Sequence, residues 1–234
     1  MPFAPDLRLD WCSHDTARYA VRCWHYSRTL PTGKLVKVGV WEDGRFVGCI
    51  LFSRGAARHI GRPYGLAQTE ICELTRVALG AHHAATSRVV AVALRLLRHQ
   101  SPGLRLVVSY ADPQHGHHGG IYQAGNWLYV GQTARECLIR VRGRVMHGRS
   151  VSSRWGCRSL AWLRRHVDAK AERVMTLPKH KYLYPFDAGM RAHLLPLVQP
   201  YPKREREADS GRPVPSGRGG ASPTRSLHCQ DAHV

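Results

Sequence analysis

The segment Val107–Gly131, VVSYADPQHGHHGGIYQAGNWLYVG, decides the fold of this chain. The apolar run Leu104–Val108 leads into it and predicts a buried strand. We expect this strand to end at Ser109, because Pro113 and three nearby glycines disfavour further regular structure. A short helix, Ile121–Gly125, and another strand follow. Polar side chains between the end of a buried strand and the start of a helix are typical of a ligand-binding site.

That loop brings together several kinds of reactive side chain. They are one carboxylate, one hydroxyl, one phenol and three imidazoles: Asp112, Ser109, Tyr122, His115, His117 and His118. His117 and His118 are neighbours, and neighbouring side chains in an extended backbone point in opposite directions. At most one of these two histidines is therefore expected to reach a shared site.

Hydrophobic patterns on both sides of this segment predict a mixed α/β domain. The predicted strands are Leu7–Trp11, Leu35–Trp41, Arg45–Phe52, Ile71–Leu79, Leu104–Val108, Leu128–Val130 and Glu136–Val141. The predicted helices are His14–Trp24, Thr86–Gln100, Ile121–Gly125 and one near Ser159–Asp168. Ser13 is the expected cap of the first helix, and the Asp43-Gly44 pair is typical of a hairpin turn.

The charge of the chain indicates a polyanionic partner. The 35 Lys and Arg residues outnumber the 16 Asp and Glu residues, which gives a formal net charge of +19. Because each neutralised phosphate releases a counterion, nucleic acid is the expected partner. A membrane partner is not expected, since the basic residues do not lie opposite the apolar face of an amphipathic helix. The predicted DNA contacts are Arg140, Arg142, Arg164, Arg165, Lys179 and Lys181.

Composition predicts a cytoplasmic protein. The seven cysteines are odd in number and include no CxxC pair, which is typical of reduced thiols. No apolar run has the length needed to span a bilayer, and the start MPFAPDLRLD lacks a signal-peptide pattern. From Lys203 onward the chain is rich in Pro, Gly, Ser and Arg without apolar periodicity, which predicts a disordered tail.

Several motifs resemble those of one family of DNA-modifying proteins. The run IYQAGNWLYVG is similar to the A-x-x-LYE-x-x-GF-x-x-xG segment of GNAT-type N-acyltransferases. SYADP together with GHHGGIYQAGNW resembles the Mom family of phage DNA-modification proteins more closely. Four further motifs fit that family in order and spacing: HYSRTLPTGK (25–34), GVWEDGRFVG (39–48), ELTRVAL (73–79) and KHKYLYPFD (179–187). The resemblance covers residues 10 to 202.

The Mom resemblance implies a fold and an activity. The fold is α/β (α+β), with a GNAT-like mixed, mostly antiparallel sheet flanked by helices, the element order β-α-β-β-β-α-β-α-β-β and a basic C-terminal extension. The expected partition is a catalytic core over residues 1–141, a DNA-contacting extension over 142–202 and the tail over 203–234. The implied activity is carbamoylmethylation of the exocyclic amine of adenine in double-stranded DNA, which protects phage DNA from restriction in the cytoplasm of its bacterial host. A homodimer is compatible with this interpretation.

The same resemblance implies roles for individual residues. Asp112 would accept or hold the proton of the adenine amine, and Tyr122 would protonate a leaving group or position the donor. His25 and Tyr26 would line the pocket or bind iron, since imidazole and phenolate are iron ligands. The residues that would hold the donor are Arg76, Ser87 and Ser109.

Arg76 lies within an apolar predicted strand, between Leu74 and Val77. A buried unpaired charge is costly, so this arginine is expected to be paired or to face a cavity. Glu73 and Asp112 are its nearest expected partners. A donor-binding arginine and a structural ion pair are both compatible with this position.

The identity of the donor is left open. GNAT proteins hold the pyrophosphate of coenzyme A on backbone amides between the fourth strand and the following helix, usually through Q/R-x-x-G-x-G/A. The corresponding segment, Leu79–Arg88, has small residues and a basic end but lacks these glycines. Acyl-CoA is thus one candidate donor, and an ordinary helix cap at Thr86 or Ser87 explains the segment equally well.

Two other functions are compatible with parts of the sequence. A catalytically inactive GNAT-like DNA-binding or antirestriction protein is favoured by the missing glycines and opposed by the presence of both Asp112 and Tyr122. A general N-acetyltransferase is disfavoured, because a net charge of +19 is a poor match to a cationic amine substrate.

Overall fold

The computed structural model describes residues 5–55 and 59–203, and the predicted tail over 203–234, apart from Lys203, lies outside the described residues. The strands within them are β1 (Leu7–Trp11), β2 (Leu35–Glu42), β3 (Arg45–Ser53), β4 (Ile71–Leu79), β5 (Leu106–Ala111), β6 (Leu128–Gln132), β7 (Cys137–Val141), β8 (Arg144–Met146), β9 (Glu172–Met175) and β10 (His180–Pro185). The α-helices are α1 (His14–Trp24), α2 (Thr86–Gln100), α3 (Gly120–Ala124), α4 (Gly148–Trp155), α5 (Leu160–His166) and α6 (Ala188–Leu194).

Seven strands form the main sheet, in the order β1-β2-β3-β4-β5-β10-β6. All neighbouring pairs are antiparallel except β4 and β5, which are parallel. This arrangement confirms the mixed, mostly antiparallel sheet flanked by helices that the GNAT resemblance implies.

The parallel pair separates before either strand ends. Its register runs from Ile71–Leu106 to Leu74–Ser109, whereas β4 continues to Leu79 along β3 and β5 continues to Ala111 along β10. Beyond Leu74 and Ser109 the sheet is therefore open between its two central strands. The side chains on the two diverging ends surround a space instead of pairing with each other.

Helices cover both faces of the main sheet. The apolar face of α2 packs into the largest core cluster with residues of β2, β3 and β5, among them Val38, Phe52 and Val107. On the opposite face, α1 packs on Cys49 and Leu51, and α6 packs in a cluster that contains Leu106, Val108 and Leu183. The helices thus bury both faces of the central strands, which agrees with the nearly continuous apolar sequences of these strands.

The strand that completes the main sheet was not predicted. The expected last strand, Glu136–Val141, corresponds to β7, which instead forms a three-stranded sheet in the order β8-β7-β9. β10 takes the place beside β5, and its Tyr182 and Leu183 are fully buried. The expected extension over 142–202 is accordingly divided: residues 180–185 lie in the main sheet, whereas 144–175 supply β8, α4, α5 and β9.

Most predicted elements before residue 101 agree with the structure, including the cap of α1 and the turn between β2 and β3. The Ser13 hydroxyl caps α1 by accepting a hydrogen bond from the Thr16 N–H at 3.1 Å. Asp43 and Gly44 both have positive φ, at 51° and 76°, which is the turn geometry that an Asp-Gly pair favours. The prediction that β5 ends at Ser109 was wrong, because Ser109 and the two residues after it pair with β10.

None of the helices in the described ranges has the length and apolarity needed to cross a membrane.

Candidate active site and nucleic-acid surface

A cavity of about 450 Å³ lies where β4 and β5 separate. This volume is within the range of about 300–1,000 Å³ that is typical of small-molecule sites. Its lining combines aromatic and imidazole rings, aliphatic groups and one arginine: Trp24, His25, Tyr26, Leu74, Thr75, Arg76, Val77, Leu79, His82, Thr86, Tyr110, His117, Ile121 and Tyr122. Five of the predicted site or loop residues are thus together, namely His25, Tyr26, Arg76, His117 and Tyr122.

Tyr122 forms one wall of the cavity, and its hydroxyl group is part of a short chain of polar groups. Its Oη lies 2.7 Å from Ser109 Oγ, which in turn lies 2.9 Å from the carbonyl oxygen of Leu74. The serine has a single proton, and the carbonyl can only accept. When Ser109 donates to Leu74, the phenol proton is free to point towards Ser109 or into the cavity. Ser109 therefore holds Tyr122 in position and does not itself line the cavity.

Burial keeps Tyr122 protonated. It raises the pKa of the Tyr122 phenol to about 12, against an opposing contribution from the hydrogen bond with Ser109. At neutral pH this side chain is accordingly a proton donor and not a base. The assignment of Tyr122 as a general acid is compatible with this state.

The start of α3 is fixed by a close approach of two chain segments. Gly119 has φ +90°, and a Cβ atom at this position would lie 2.3 Å from the ring of Tyr182. The Tyr182 hydroxyl donates to the carbonyl oxygen of His118 at 2.6 Å. Only glycine fits here, and the contact fixes the loop that carries Tyr122 and His117. His117 lines the cavity and His118 does not, as the alternation of neighbouring side chains predicted.

Four rings cluster at the side of the cavity formed by the segment after α1. Tyr26 is stacked on His115 with ring centroids 3.9 Å apart, and it lies 4.2 Å from the His25 ring and 5.6 Å from the His117 ring. Tyr26 is 49% exposed although it lines the cavity, so it lies at the boundary between the cavity and solvent. An exposed aromatic ring at the mouth of a cavity is suited to stacking on a nucleobase.

His25 is held in its neutral form. Burial lowers its pKa to about 4, with further contributions from the nearby Arg76, His117 and His115. Its Nδ1 accepts a hydrogen bond from the backbone N–H of Ser27 at 3.1 Å and lies 2.8 Å from Ser27 Oγ. An accepting Nδ1 places the proton of the neutral ring on Nε2.

The lowered pKa of His25 predicts a loss of stability in mild acid. The unfolded chain takes up a proton on this histidine as the pH falls below about 6.5, whereas the folded protein does so only near pH 4. The neutral state of His25 thus contributes fully to the free energy of unfolding above pH 6.5, and this contribution is lost as the pH falls towards 4. Urea denaturation across that range should show a smaller loss for His25→Asn than for the unmodified protein. Equal losses would contradict the assigned neutral state.

Asp112 lies beside the cavity and is not part of its lining. Asp112 is 8% exposed, and its carboxylate accepts a hydrogen bond from the Gln114 N–H at 3.0 Å and lies 3.6 Å from the Lys179 ammonium. The expected pairing of Asp112 with Arg76 was wrong, because the strands that carry them diverge after Leu74 and Ser109. Instead Lys179, a predicted DNA contact, is the partner of Asp112.

Arg76 is the charged group of the cavity. One guanidinium nitrogen donates to the carbonyl oxygen of Thr75 at 2.7 Å, and its buried Nε has no hydrogen-bond partner. Across residues 5–55 and 59–203, Arg76 forms no ion pair, and no Asp or Glu lines the cavity. The cavity therefore offers an uncompensated positive charge to a carbonyl or anionic group of a ligand.

The arrangement of His25 and Tyr26 does not fit a metal site. No group of three or more His, Cys, Asp or Glu side chains in the described part of the chain could hold a metal ion. Metal binding through Nε2 of His25 would also require Nδ1 to carry the proton, yet Nδ1 accepts from the Ser27 amide. We therefore derive no role for iron from these residues.

The N-terminus of α2 contributes residues that were not predicted. Thr86 and His82 line the cavity, with His82 Nε2 3.1 Å from Thr86 Oγ1, whereas Ser87 is not among the lining residues. The residue before α2 is Ala85, so the expected side-chain cap at Thr86 or Ser87 is not formed. Tyr110 was expected after the end of a strand, but it belongs to β5 and lines the cavity from there.

The small sheet with α4 and α5 forms a separate hydrophobic cluster, which we call the basic module (residues 135–175). Eleven arginines and lysines stand against three acids in this range.

Two of the predicted DNA contacts bind other groups of the basic module. Arg140 pairs with Glu172, and Arg164 donates to the carbonyl oxygen of Ala171 at 2.8 Å. Arg165 is exposed and, within the described residues, has no hydrogen bond or ion pair. Of the lysines, Lys181 lies 5.0 Å from the Tyr64 ring, and burial lowers its pKa.

Comparisons with known proteins agree with the motifs. One relative, the methylcarbamoylase mom of Escherichia phage Mu, is 27% identical over 209 residues, which span 85% of this chain and 84% of the relative. Among solved structures, FeeM, an N-acyl amino acid synthase from uncultured soil microbes, aligns with a TM-score of 0.45 and 12% identity over 83% of this chain and 97% of its own. The model of the Mom protein family matches residues 6–203. Since this match spans most of the sequence, the chain belongs to the Mom protein family.

Proposed function

We propose that this protein transfers a carbamoylmethyl group to the exocyclic amine of adenine in double-stranded DNA. Membership of the Mom family supports the substrate, as does the net charge of +19. The observation that carries the proposal is the cavity between β4 and β5, which has a protonated phenol on one wall and an unpaired arginine on another.

Access to the adenine amine requires that the base leave the helical stack. The amine is poorly nucleophilic because its lone pair is delocalised into the ring, and its reaction needs a site from which water is excluded. The cluster of Tyr26 with His25 and His115 lies at the entrance of the cavity, where a flipped base would enter. The neutral state of His25 avoids placing a second positive charge beside Arg76.

Tyr122 and Arg76 are suited to the donor. A bond forms between the adenine amine nitrogen and the methylene of the transferred group while the bond from that methylene to the leaving group breaks. The leaving group departs with the phenol proton of Tyr122, and the amine loses its own proton to a base. After the transfer, the Ser109 hydroxyl can turn its proton from the Leu74 carbonyl oxygen to the Tyr122 phenolate. Arg76 lines the cavity and can donate to the carboxamide oxygen of the transferred group through a guanidinium N–H that does not bind Thr75.

Asp112 is the carboxylate that we assign to the amine proton. The 3.6 Å separation from the Lys179 ammonium is longer than a hydrogen bond, so the Asp112 oxygen on that side retains lone pairs that can accept. Asp112 also interacts electrostatically with Tyr26 and His117, which line the cavity. These interactions support a position of Asp112 close to the cavity.

Asp112→Asn should lower the yield of modified adenine by about 10²-fold or more while the protein remains folded. The asparagine oxygen can still accept from the Gln114 N–H, so the local turn is kept and the pair with the half-exposed Lys179 is the main structural loss. The measurement is the yield of modified nucleoside together with the melting temperature. A much lower melting temperature with normal activity per folded molecule would make Asp112 a structural residue.

Mass spectrometry of nucleosides tests the function itself. DNA from cells that express the protein should contain a deoxyadenosine in which one amine hydrogen is replaced by a carbamoylmethyl group, and DNA from cells that express Tyr122→Phe should contain much less. DNA binding without any modified adenine would favour a catalytically inactive DNA-binding protein. Acetylation of a small molecule or protein, with unmodified DNA, would favour a general N-acetyltransferase.

A further inference from the structure

Glu42, the last residue of β2, contacts a segment that is distant from it in the sequence. Its carboxylate accepts two backbone hydrogen bonds, from the His83 N–H and from the Ala84 N–H, each at 2.7 Å. The side chain is only 3% exposed. Burial raises the pKa of Glu42, but the two backbone hydrogen bonds and the nearby His83 together bring it below its usual value. A buried, ionised carboxylate therefore lies against the segment between β4 and α2.

This segment is the counterpart of the one on which GNAT proteins hold the pyrophosphate of coenzyme A. Amides at the start of a helix attract an anion, because their N–H groups lack partners within the helix and the helix dipole is positive at this end. Here two amides of the segment are already occupied by a carboxylate of the same chain. The segment also lacks the G-x-G/A spacing that allows a phosphate to approach the backbone, and it has His82 and His83 after Gly80 and Ala81.

We infer that Glu42 excludes pyrophosphate-bearing donors, such as coenzyme A thioesters, from this segment. The donor is then recognised within the cavity, and no pyrophosphate binds to the amides of His83 and Ala84. A pyrophosphate would have to displace a nearly inaccessible carboxylate and then lie beside its negative charge, which is strongly unfavourable. The inference rests on the proposed transfer reaction, since it narrows the class of donor. Arg76, within the cavity, is the remaining cation for the donor.

Amide NMR spectra of the full-length protein test the inference directly. Coenzyme A and inorganic pyrophosphate are the probes, each titrated at two salt concentrations. Both polyanions should contact the basic surface in a salt-dependent way, while the amide resonances of His83 and Ala84 stay unchanged. A saturable shift of these two resonances on addition of coenzyme A would overturn the inference. This measurement does not depend on DNA modification, so it separates failure of the inference from failure of the proposed function.

Removal of the carboxylate gives the converse test. In Glu42→Ala, pyrophosphate should bind at His83 and Ala84 roughly tenfold more tightly or better, because two amides just before α2 lose the anion that occupies them. Asp15→Ala, at an exposed position in α1, makes the same change of net charge and should gain nothing at these amides. Glu42→Gln keeps the size of the side chain and should show a smaller gain in the same direction. Folded Glu42 variants that gain no pyrophosphate at this segment would overturn the inference.

Discussion

Tyr122→Phe should lower the yield of modified adenine by about 10²-fold or more, with little change in DNA affinity or melting temperature. The substitution removes one hydroxyl and leaves the ring, which packs 5.0 Å from the Trp127 ring and 5.1 Å from the Tyr182 ring. Ser109 keeps the Leu74 carbonyl oxygen as its partner, so no buried polar group is left unpaired. Nucleoside mass spectrometry at matched protein levels gives the yield, and calorimetry gives the melting temperature.

Tyr129→Phe is the matched control for this experiment. Tyr129 is as buried as Tyr122 and also loses one hydrogen bond, that between its hydroxyl and Nδ1 of His180 at 3.0 Å. Tyr129 does not line the cavity, so its substitution should leave the yield within a few-fold of normal. Equal losses in the two variants, or normal activity of Tyr122→Phe, would show that the phenol proton of Tyr122 has no part in the reaction.

Local sequence patterns were sufficient for much of the fold. The apolar pattern of Ile71–Leu79 and the spacing of apolar residues in Thr86–Gln100 predicted β4 and α2 with their observed bounds. β10 was missed, because alternating lysines and tyrosines in Lys179–Tyr184 were interpreted as a nucleic-acid contact. Its burial comes from pairing with β5 and β6, which are distant in the sequence and which no local pattern records.

The candidate site was predictable only where its residues belong to a recognisable motif. His25, Tyr26 and Tyr122 lie in such motifs and do meet at the cavity. His82 and Thr86 line the cavity because β4 and β5 separate. That separation depends on the residues at which the parallel pairing of these two strands stops. Glu42 was interpreted as part of a hairpin turn, because its contact with His83 lies 41 residues away along the chain.

Replacement of three arginines of the basic module by alanine should weaken binding to duplex DNA and reduce its dependence on salt. Arg144, Arg149 and Arg165 are exposed, and within the described residues their side chains form no hydrogen bond or ion pair. Each is free to contact a phosphate, and each lost contact reduces the slope of log K against log salt by about 0.9. The slope should therefore fall by nearly three units in the triple variant, as measured by fluorescence anisotropy over a salt series.

A second triple variant separates a specific surface from the overall charge of the protein. Arg22, Arg95 and Arg191 are also exposed, lie on α1, α2 and α6 outside the basic module, and carry the same total charge. If the basic module holds the duplex, their replacement should leave most of the salt dependence in place, since distant surface charges are screened beyond about 10 Å. If both triple variants lose the same slope, DNA affinity arises from the general charge of the domain. If neither loses any, the phosphate contacts lie elsewhere, and the base would enter the cavity from a different side of the protein.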